Sequence, residues 1–349
     1  MKKKLNVLIA GPLPPPAGGI SVHIWRLKHL LEDEFNLDFI DEASVTKPGY
    51  FNVKSYNPFT YIKKIATADV LFIHSGSRIL KKLHIALGRI FGKKVIITLH
   101  GYGPKRKMPY RAIDAFFFKL AHKIILVNAE IFNRVPLPKE KCVIKHAFLP
   151  PVMKEEPNLP SIIESRIQKA RQKNKIILCA NASRLDVHNN QDLYGLDMSI
   201  EVTRNLVKKG FPVSFVYTVS SLDNGAERFN QGQALINSYQ LNDHFLLVNE
   251  KLSFVKLIEY ADIVLRPTNT DGDALTIREA IYLNKKIVAS DVVERPEGTI
   301  LFKTRDTNDL EIKIEAAIEH GNQVNGKINK EEENFKKYYS NLINEVAAK

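Results

Sequence analysis

Short apolar runs alternate with amphipathic helical patterns along almost the whole chain, and this alternation constrains the fold more than any other feature. Runs such as Leu5–Ala10, Val70–Ile73 and Val95–Leu99 are four to six residues long and mostly apolar, which predicts strands buried on both faces. Between them, segments such as Ile20–Leu31 carry apolar residues at helical spacing. Strands that alternate with helices favour a parallel sheet covered by helices on both sides, so we predict a doubly wound α/β fold.

A cluster of prolines divides this pattern into two parts. The chain has 349 residues, more than the ~250–300 at which a single core stops growing. Pro150, Pro151, Pro157 and Pro160 fall within eleven residues, a density that neither a helix nor a central strand accepts. We therefore predict an N-terminal domain over 1–155, a second domain over 160–325, and a C-terminal helix over 330–349 that crosses back to the N-terminal domain.

The positive charge belongs entirely to the first part of the chain. Residues 1–150 contain 25 Lys and Arg against 10 Asp and Glu, a net charge of +15, whereas the remainder has a net charge of −2. Such a field attracts nucleic acid, anionic lipid or phosphorylated substrates, although solvated helix faces would have the same composition. Lys105, Arg106, Lys107 and Arg111 precede Phe116-Phe117-Phe118, which suits contact with a membrane surface. An ordinary core helix is the alternative.

The sequence predicts neither a membrane span nor a secretion signal. No apolar stretch approaches the ~20 residues that cross a bilayer, and Leu5–Ala10 is shorter than the ~7–15 residues of a signal core. We expect a cytoplasmic protein, peripheral at the inner face of the plasma membrane if the basic segment binds lipid. Cys142 and Cys179 lie in apolar runs, so we expect buried free thiols and no four-cysteine zinc site.

Several candidate binding residues follow predicted strands, where parallel sheets bind ligands. Gly18-Gly19 opens the first helix, and His100-Gly101 follows the strand Val95–Leu99. The richest segment follows Ile263–Leu265 and runs from Arg266 through Asp271, Gly272, Asp273, Ala274, Leu275 and Thr276 to Glu279. Amides at a helix start bind phosphate, and a carboxylate one turn later can accept ribose hydroxyls. We interpret this as a nucleotide-sugar site, with the transferred sugar toward Asp271.

This segment resembles the Glu-x7-Glu motif of glycosyltransferase family 4, the retaining enzymes of the GT-B fold. Gly272, Leu275, Glu279 and Ala280 match that motif, and Ile287-Val-Ala-Ser followed by Pro296-Glu297 is similar to its tail. Gly18-Gly19 with His23, and Thr98 to Gly101, match the family's N-terminal pattern. The resemblance implies two Rossmann-like domains facing across a cleft. It also implies a hexosyltransferase that uses a nucleotide-diphosphate sugar and needs no metal or other cofactor.

The resemblance also assigns roles to residues. It implies catalytic roles for His100, Arg184, Asp271 and Glu279. Donor contacts are expected from the same cluster and from the glycines after the first strand, namely Gly18, Gly19, Arg184, Asp271, Gly272, Asp273, Ala274, Leu275, Thr276 and Glu279. Lys105, Arg106, Lys107 and Arg111 would face the acceptor or the membrane. The acceptor would be a saccharide or a lipid-diphosphate-linked saccharide of bacterial surface polysaccharide synthesis, and attack would come from the front side, with the leaving phosphate taking the proton.

Two departures from the family pattern leave alternatives open. Asp271 replaces the first glutamate, and the lysine expected after Arg184 is absent because Tyr194-Gly195 stands in its place. Either Arg266 substitutes for this lysine or the stabilisation of the leaving group is weaker, and an inactive GT-B-like partner protein is one alternative function. A basic nucleic-acid-binding protein and a sugar-nucleotide epimerase are further alternatives, but the first lacks a recognisable motif and the second an acid/base set. Asp271-Gly-Asp273 also resembles the metal motif of the GT-A fold.

Overall fold

The first sheet consists of seven parallel strands that follow the predicted apolar runs. The computed structural model describes the chain from residue 4 onward, except residues 16–17, 104–107, 273 and 320–327. The strands are β1 (Asn6–Gly11), β2 (Asn36–Asp41), β3 (Phe51–Asn52), β4 (Val70–Ile73), β5 (Lys94–Leu99), β6 (Lys123–Leu126) and β7 (Cys142–Ile144). Their order is β3-β2-β1-β4-β5-β6-β7, so the strand order reverses between β1 and β4. Ligands bind at such a switch point in open parallel sheets.

Helices cover both faces of this sheet and complete the first unit, Met1–Pro150 with Asn329–Lys349. They are α1 (Gly19–Leu31), α2 (Pro58–Thr67), α3 (Arg78–Ile90), α4 (Tyr110–Lys119), α5 (Glu130–Arg134) and, from the end of the chain, α12 (Ile328–Ala348). Aromatic residues of α12 pack in this unit: Phe335 packs on Phe148, and Tyr339 contacts the rings of Phe72 and His23. The C-terminal helix therefore shares its core with the N-terminal sheet.

The second unit, Pro151–Ile328, repeats the architecture with six parallel strands. They are β8 (Ile176–Ala182), β11 (Val213–Val219), β12 (Phe245–Asn249), β13 (Ile263–Arg266), β14 (Lys286–Ser290) and β15 (Ile300–Phe302). The order β12-β11-β8-β13-β14-β15 places the switch point between β8 and β13. Its helices are α6 (Ser161–Gln172), α7 (Leu196–Lys208), α8 (Ala226–Ser238), α9 (Phe254–Tyr260), α10 (Leu275–Tyr282) and α11 (Thr307–Glu319).

The doubly wound α/β fold predicted from the sequence is confirmed, and the predicted strands and helices agree with the structure to within one to three residues at most ends. Several of the elements without a sequence prediction have weak local patterns. For example, α8 is polar and contains Gly232, whose missing side chain lets Leu196 and Leu247 approach, although glycine disfavours a helix interior. The hairpin of β9 (Val187–His188) and β10 (Gln191–Asp192) consists of two-residue strands, too short to give a period.

The two cysteines differ in burial. Cys179 is buried as expected, whereas Cys142 is only half-buried because it lies on β7 at the edge of the first sheet. Burial raises the pKa of the Cys142 thiol to about 11.

Among the residues that the structure describes, no helix combines the length and the apolar character that a membrane crossing requires.

Candidate functional site

Arg184 lies just beyond the carboxyl end of β8, at the switch point of the second unit. Its side chain is 53% exposed and forms an ion pair with Asp186 at 3.3 Å. The strand next to β8 on the other side of the switch point is β13, whose last residue is Arg266. Two residues of the predicted donor cluster therefore follow adjacent strands of one sheet.

The hairpin that follows Arg184 stands where the sequence resemblance leads us to expect a lysine. Asn189 and Asn190 both have positive φ, 51° and 59°, which suits the two-residue turn that joins β9 to β10. After the hairpin, Gly195 has φ +69°, and a Cβ built on it would lie 2.4 Å from the carbonyl oxygen of Pro267. A glycine is required here because both the backbone conformation and the close contact exclude a side chain. The insertion is thus pressed against the loop that leads to Asp271.

Tyr194 connects the two strand ends. Its hydroxyl lies 2.8 Å from the Ser183 hydroxyl, and the Arg266 guanidinium carbon lies 5.3 Å from the centre of its ring. An arginine at this distance from an aromatic ring is attracted by the ring's quadrupole. Tyr194 therefore stands where the family lysine is expected and holds Arg266 at the switch point.

Asp271 is at the centre of an ion-pair network. Arg266 donates to both of its oxygens at 3.0 Å, and Arg295 donates to Oδ2 at 2.9 Å. The Thr268 hydroxyl also donates to Oδ2, at 3.2 Å. Burial raises the pKa of Asp271, but the two arginines outweigh it and hold the pKa below its ordinary value. The carboxylate is therefore ionised and already paired, so it differs from the free sugar-facing acid expected from the resemblance.

Arg295 completes this network, and the sequence alone does not point to it. Its side chain is only 2% exposed, and it donates to the backbone carbonyl of Ser290 at 3.1 Å as well as to Asp271. It follows β14, the neighbour of β13, and so reaches the same edge of the sheet. A single arginine in a loop carries no local signal of such a position.

The start of α10 lies directly after this network. The helix begins at Leu275 with Ala274 as its N-cap, whose side chain offers no hydrogen-bond acceptor. Gly272, which is exposed, donates its amide to Asp271 at 3.0 Å. Asp273 lies outside the described residues. Thr276 and Glu279 are 8% and 5% exposed, so only a small part of the Glu279 carboxylate is open to a ligand.

The first unit brings His100 together with two histidines that the sequence analysis does not pair with it. His74 follows β4, His100 follows β5 and His23 lies on α1, so all three surround the switch point between β1 and β4. His74 Nδ1 lies 3.2 Å from His100 Nε2, and His23 donates Nδ1–H to the Ala147 carbonyl at 2.7 Å. Burial lowers the pKa of His23 to about 4 and lowers those of His74 and His100. The rings are therefore uncharged at neutral pH.

The two glycines at the start of α1 are placed as predicted, but one amide is occupied. Gly18 is the N-cap of α1, and its N–H is bonded to the Ser21 hydroxyl at 2.8 Å. A Cβ on Gly19 would meet no heavy atom within 4 Å in the part of the chain that the structure describes. Open space remains beside Gly19, whereas the Gly18 amide is not free to bind phosphate.

A basic pocket lies beside the histidines in the first unit. Its volume is about 220 Å³, and Arg78, Lys81 and Lys82 line it together with Gly101. Lys82 also lies 3.4 Å from the buried carboxylate of Asp114. Arg111 is half-buried on α4, and Lys105, Arg106 and Lys107 lie outside the described residues. The cations that line this pocket belong to α3, and the acceptor-side roles of Lys105, Arg106, Lys107 and Arg111 stay predictions.

Comparison with known proteins supports the fold assignment. No protein-family model matches the sequence, and neither does any curated protein. Solved structures do match. HepE of Anabaena in complex with UDP has a TM-score of 0.65 at 14% identity, with 90% of each chain covered. A glycosyltransferase of Rickettsia africae has a TM-score of 0.66 at 15% identity, covering 96% of this chain and 94% of the other. Sucrose-phosphate synthase of Thermosynechococcus elongatus reaches 0.63 at 14% identity, covering 99% and 100%.

The three similar structures are glycosyltransferases of the GT-B type, and the fold of this chain is therefore GT-B. This confirms the fold class that the sequence resemblance implies. Identities of 14–15% establish the fold alone. The reaction must therefore be inferred from the residues of the site.

Proposed function

We propose that this protein is a retaining glycosyltransferase that moves a hexose-type sugar from a nucleotide-diphosphate sugar to a saccharide or lipid-linked saccharide. The observation that carries the proposal is the convergence of Arg266, Arg295 and the start of α10 on one switch point, with Arg184 on the neighbouring strand end. Arginine side chains and helix N-termini are the groups that bind diphosphates. HepE, which has the same fold, binds UDP.

Arg266 and Arg295 take the place of the missing family lysine in this proposal. A departing nucleoside diphosphate needs positive charge near its β-phosphate, and two guanidinium groups supply it. Asp271 then orients the arginines rather than the donor sugar, because both of its oxygens accept hydrogen bonds from them. An inactive partner protein would not need to keep two largely buried arginines at a ligand edge. Hydrolysis or transfer of a UDP-hexose separates the two functions.

The donor site is proposed to work without a metal ion. A divalent cation at Asp271 would be repelled by the two arginines that already neutralise this carboxylate. Transfer would proceed by front-side attack, in which the leaving phosphate oxygen accepts the acceptor's proton. A product whose anomeric configuration equals that of the donor, observed by NMR, would support retention.

The acceptor is proposed to be an anionic, lipid-diphosphate-linked saccharide of bacterial capsule, O-antigen or exopolysaccharide synthesis, bound by the first unit. The pocket lined by Arg78, Lys81 and Lys82 provides charge for a diphosphate. Apolar side chains stand exposed on the neighbouring helices α2, α3 and α4, among them Phe59 (86%), Ile79 (76%) and Phe116 (60%). Apolar residues beside basic ones suit a protein that binds the inner face of the plasma membrane.

The donor proposal is tested by substituting Arg184 and measuring UDP binding by calorimetry. Arg184→Gln should weaken UDP binding on the order of tenfold or more, because a hydrogen bond to a charged group contributes ~1.5–3 kcal/mol. The control is Arg171→Gln. Arg171 has a similar exposure of 48% and pairs with Asp262, but Asp262 precedes β13 and so lies at the opposite edge of the sheet. Equal affinities in the wild type and both variants would contradict the proposal.

A further inference from the structure

Three histidines from three different elements form one compact cluster in the first unit. The ring centres of His23, His74 and His100 are 5.0, 5.0 and 5.5 Å apart. One ligating nitrogen from each residue lies within 4.8 Å of the other two. The exposed fractions of His23 and His74 are only 3% and 0%. Buried imidazole nitrogens normally have hydrogen-bond partners.

Two of the ring nitrogens lack such a partner. Nε2 of His23 and Nε2 of His74 are buried, and neither has a hydrogen-bond partner among the residues that the structure describes. For His23 the tautomer follows from its other nitrogen, because the Ala147 carbonyl can only accept and so Nδ1 carries the proton. Nε2 of His23 therefore keeps a lone pair that no described group uses.

We infer that His23, His74 and His100 bind a transition-metal ion of the Zn²⁺ type at the switch point of the first unit. Zn²⁺ bonds to imidazole at ~2.0–2.1 Å in a tetrahedral arrangement, which requires nitrogens ~3.3 Å apart. The 3.2 Å between His74 Nδ1 and His100 Nε2 already has this spacing. With these two nitrogens as ligands, the third ligand is Nε2 of His23. The three histidines offer nitrogens within 4.8 Å of one another, so side-chain rotations would bring the set to the required spacing.

The hydrogen bond from His23 to Ala147 supports this assignment. Histidines that ligate metals commonly donate their second ring nitrogen to a backbone carbonyl, which fixes the tautomer and orients the ring. His23 does so at 2.7 Å. The ion can reach the cluster from the side of His100, which is half-buried and whose neighbour Gly101 lines the basic pocket.

The surrounding charge determines which metals fit. Lys81 lies close enough to lower the pKa of His74 and His100 further, and the three ligands themselves carry no negative charge. Coordination bonds to nitrogen, rather than charge attraction, must therefore hold the ion. This favours Zn²⁺, Co²⁺, Ni²⁺ or Cu²⁺ and disfavours Mg²⁺ and Ca²⁺, which prefer oxygen ligands. The inference rests on residues of the first unit and does not depend on the proposed sugar transfer.

The test uses full-length protein without a histidine tag, treated with a chelator and then titrated with ZnCl₂ by calorimetry and with CoCl₂ by visible absorption. We expect one Zn²⁺ per chain and the visible bands of Co²⁺ bound to nitrogen ligands, which Zn²⁺ should displace. MgCl₂ should produce no binding heat. His100→Gln and His74→Gln should each weaken Zn²⁺ binding on the order of 100-fold or more, since even second-shell changes cost 10–100-fold.

The matched control is His188→Gln, because His188 is exposed on the hairpin of the second unit. It should bind Zn²⁺ like the wild type. Thermal unfolding without metal identifies any variant that does not fold, and if His74→Gln fails in this way, the half-buried His100 decides the question. The inference is overturned if the wild type binds neither Zn²⁺ nor Co²⁺, if His100→Gln binds as tightly as the wild type, or if His188→Gln loses binding. UDP affinity in the same variants reports on the donor proposal separately.

Discussion

The ligand edges of the two units, meaning the carboxyl ends of the strands at each switch point, differ in charge although the two sheets reverse their strand order at equivalent places. In the first unit this edge holds the uncharged rings of His23, His74 and His100. In the second unit it holds Asp271 between Arg266 and Arg295. One topology therefore presents nitrogen lone pairs in one unit and paired charges in the other.

The net charges of the two units show the opposite contrast, because the unit whose ligand edge holds uncharged rings is the strongly basic one. The first unit has a net charge of +15 and the second a net charge of −2. In the first unit, Lys81 and Lys82 of α3 line the pocket beside the histidine cluster, whereas in the second unit Arg266 and Arg295 pair with Asp271 at the ligand edge itself. The net charge of a unit therefore does not predict the charge at its strand ends, where parallel sheets bind ligands.

The largest expected effect concerns the ion pairs of Asp271 with Arg266 and Arg295, which distinguish the ligand edge of the second unit from that of the first. Asp271→Asn should cost about 3–5 kcal/mol of unfolding free energy at neutral pH, because it leaves largely buried arginines without their counter-charge. Asp262→Asn is the control, since Asp262 pairs with an arginine but is 31% exposed at the opposite edge. Urea unfolding should give a clearly smaller loss for it. Equal losses would show that the network is an ordinary surface ion pair.

The same network predicts a pH dependence whose sign follows from the lowered pKa of Asp271. A carboxylate with a lowered folded-state pKa contributes stability that is fully present above its unfolded pKa, about 3.8, and is lost as the pH falls through the folded value. The difference in melting temperature between the wild type and Asp271→Asn should therefore be constant from about pH 7 to about pH 5 and narrow below about pH 4. A difference that narrows already near neutral pH would contradict the assignment.

A smaller effect is expected where the hairpin meets the Asp271 loop. Gly195→Ala should cost about 2–3 kcal/mol, since it adds a Cβ 2.4 Å from the Pro267 carbonyl oxygen to the strain of a positive φ. Gly92→Ala in the first unit is the matched control, because its φ is +66° and its Cβ would meet no described atom within 4 Å. It should lose only about 1 kcal/mol. Denaturant unfolding distinguishes the contact from backbone strain alone.

The smallest expected effect concerns the exposed apolar helices of the first unit. Replacing Ile79 and Phe116 with serine should reduce co-sedimentation with phosphatidylcholine–phosphatidylglycerol vesicles about tenfold, since each side chain loses part of its burial in lipid. The control is Ile312→Ser on α11 of the second unit, where Ile312 is 58% exposed. It should bind vesicles like the wild type. If vesicle binding changes neither with these substitutions nor with the phosphatidylglycerol content, the membrane proposal is wrong.

Much of the fold could be predicted because its signals are local. A four-residue run such as Val70–Ile73 is buried on both faces, and its apolar character alone identifies it. The helical pattern over Ile20–Leu31 matches α1 to within one residue, since periodic apolar residues mark its length. The α8 and α11 helices were not predicted because their apolar faces are weak, and β9 and β10 because two residues make no period. The α2 helix was missed although it has a clear apolar face.

The sequence by itself determined which residues follow each strand, and so it identified His100, Arg184, Arg266, Asp271 and Glu279 as candidates. The tertiary structure alone decided their partners. It placed Arg295 on Asp271 from 24 residues away and joined His23, His74 and His100 across 77 residues of chain. Strand order and crossover connections set such pairings, because neighbouring strand ends in a parallel sheet are far apart in sequence, and no local spacing encodes them.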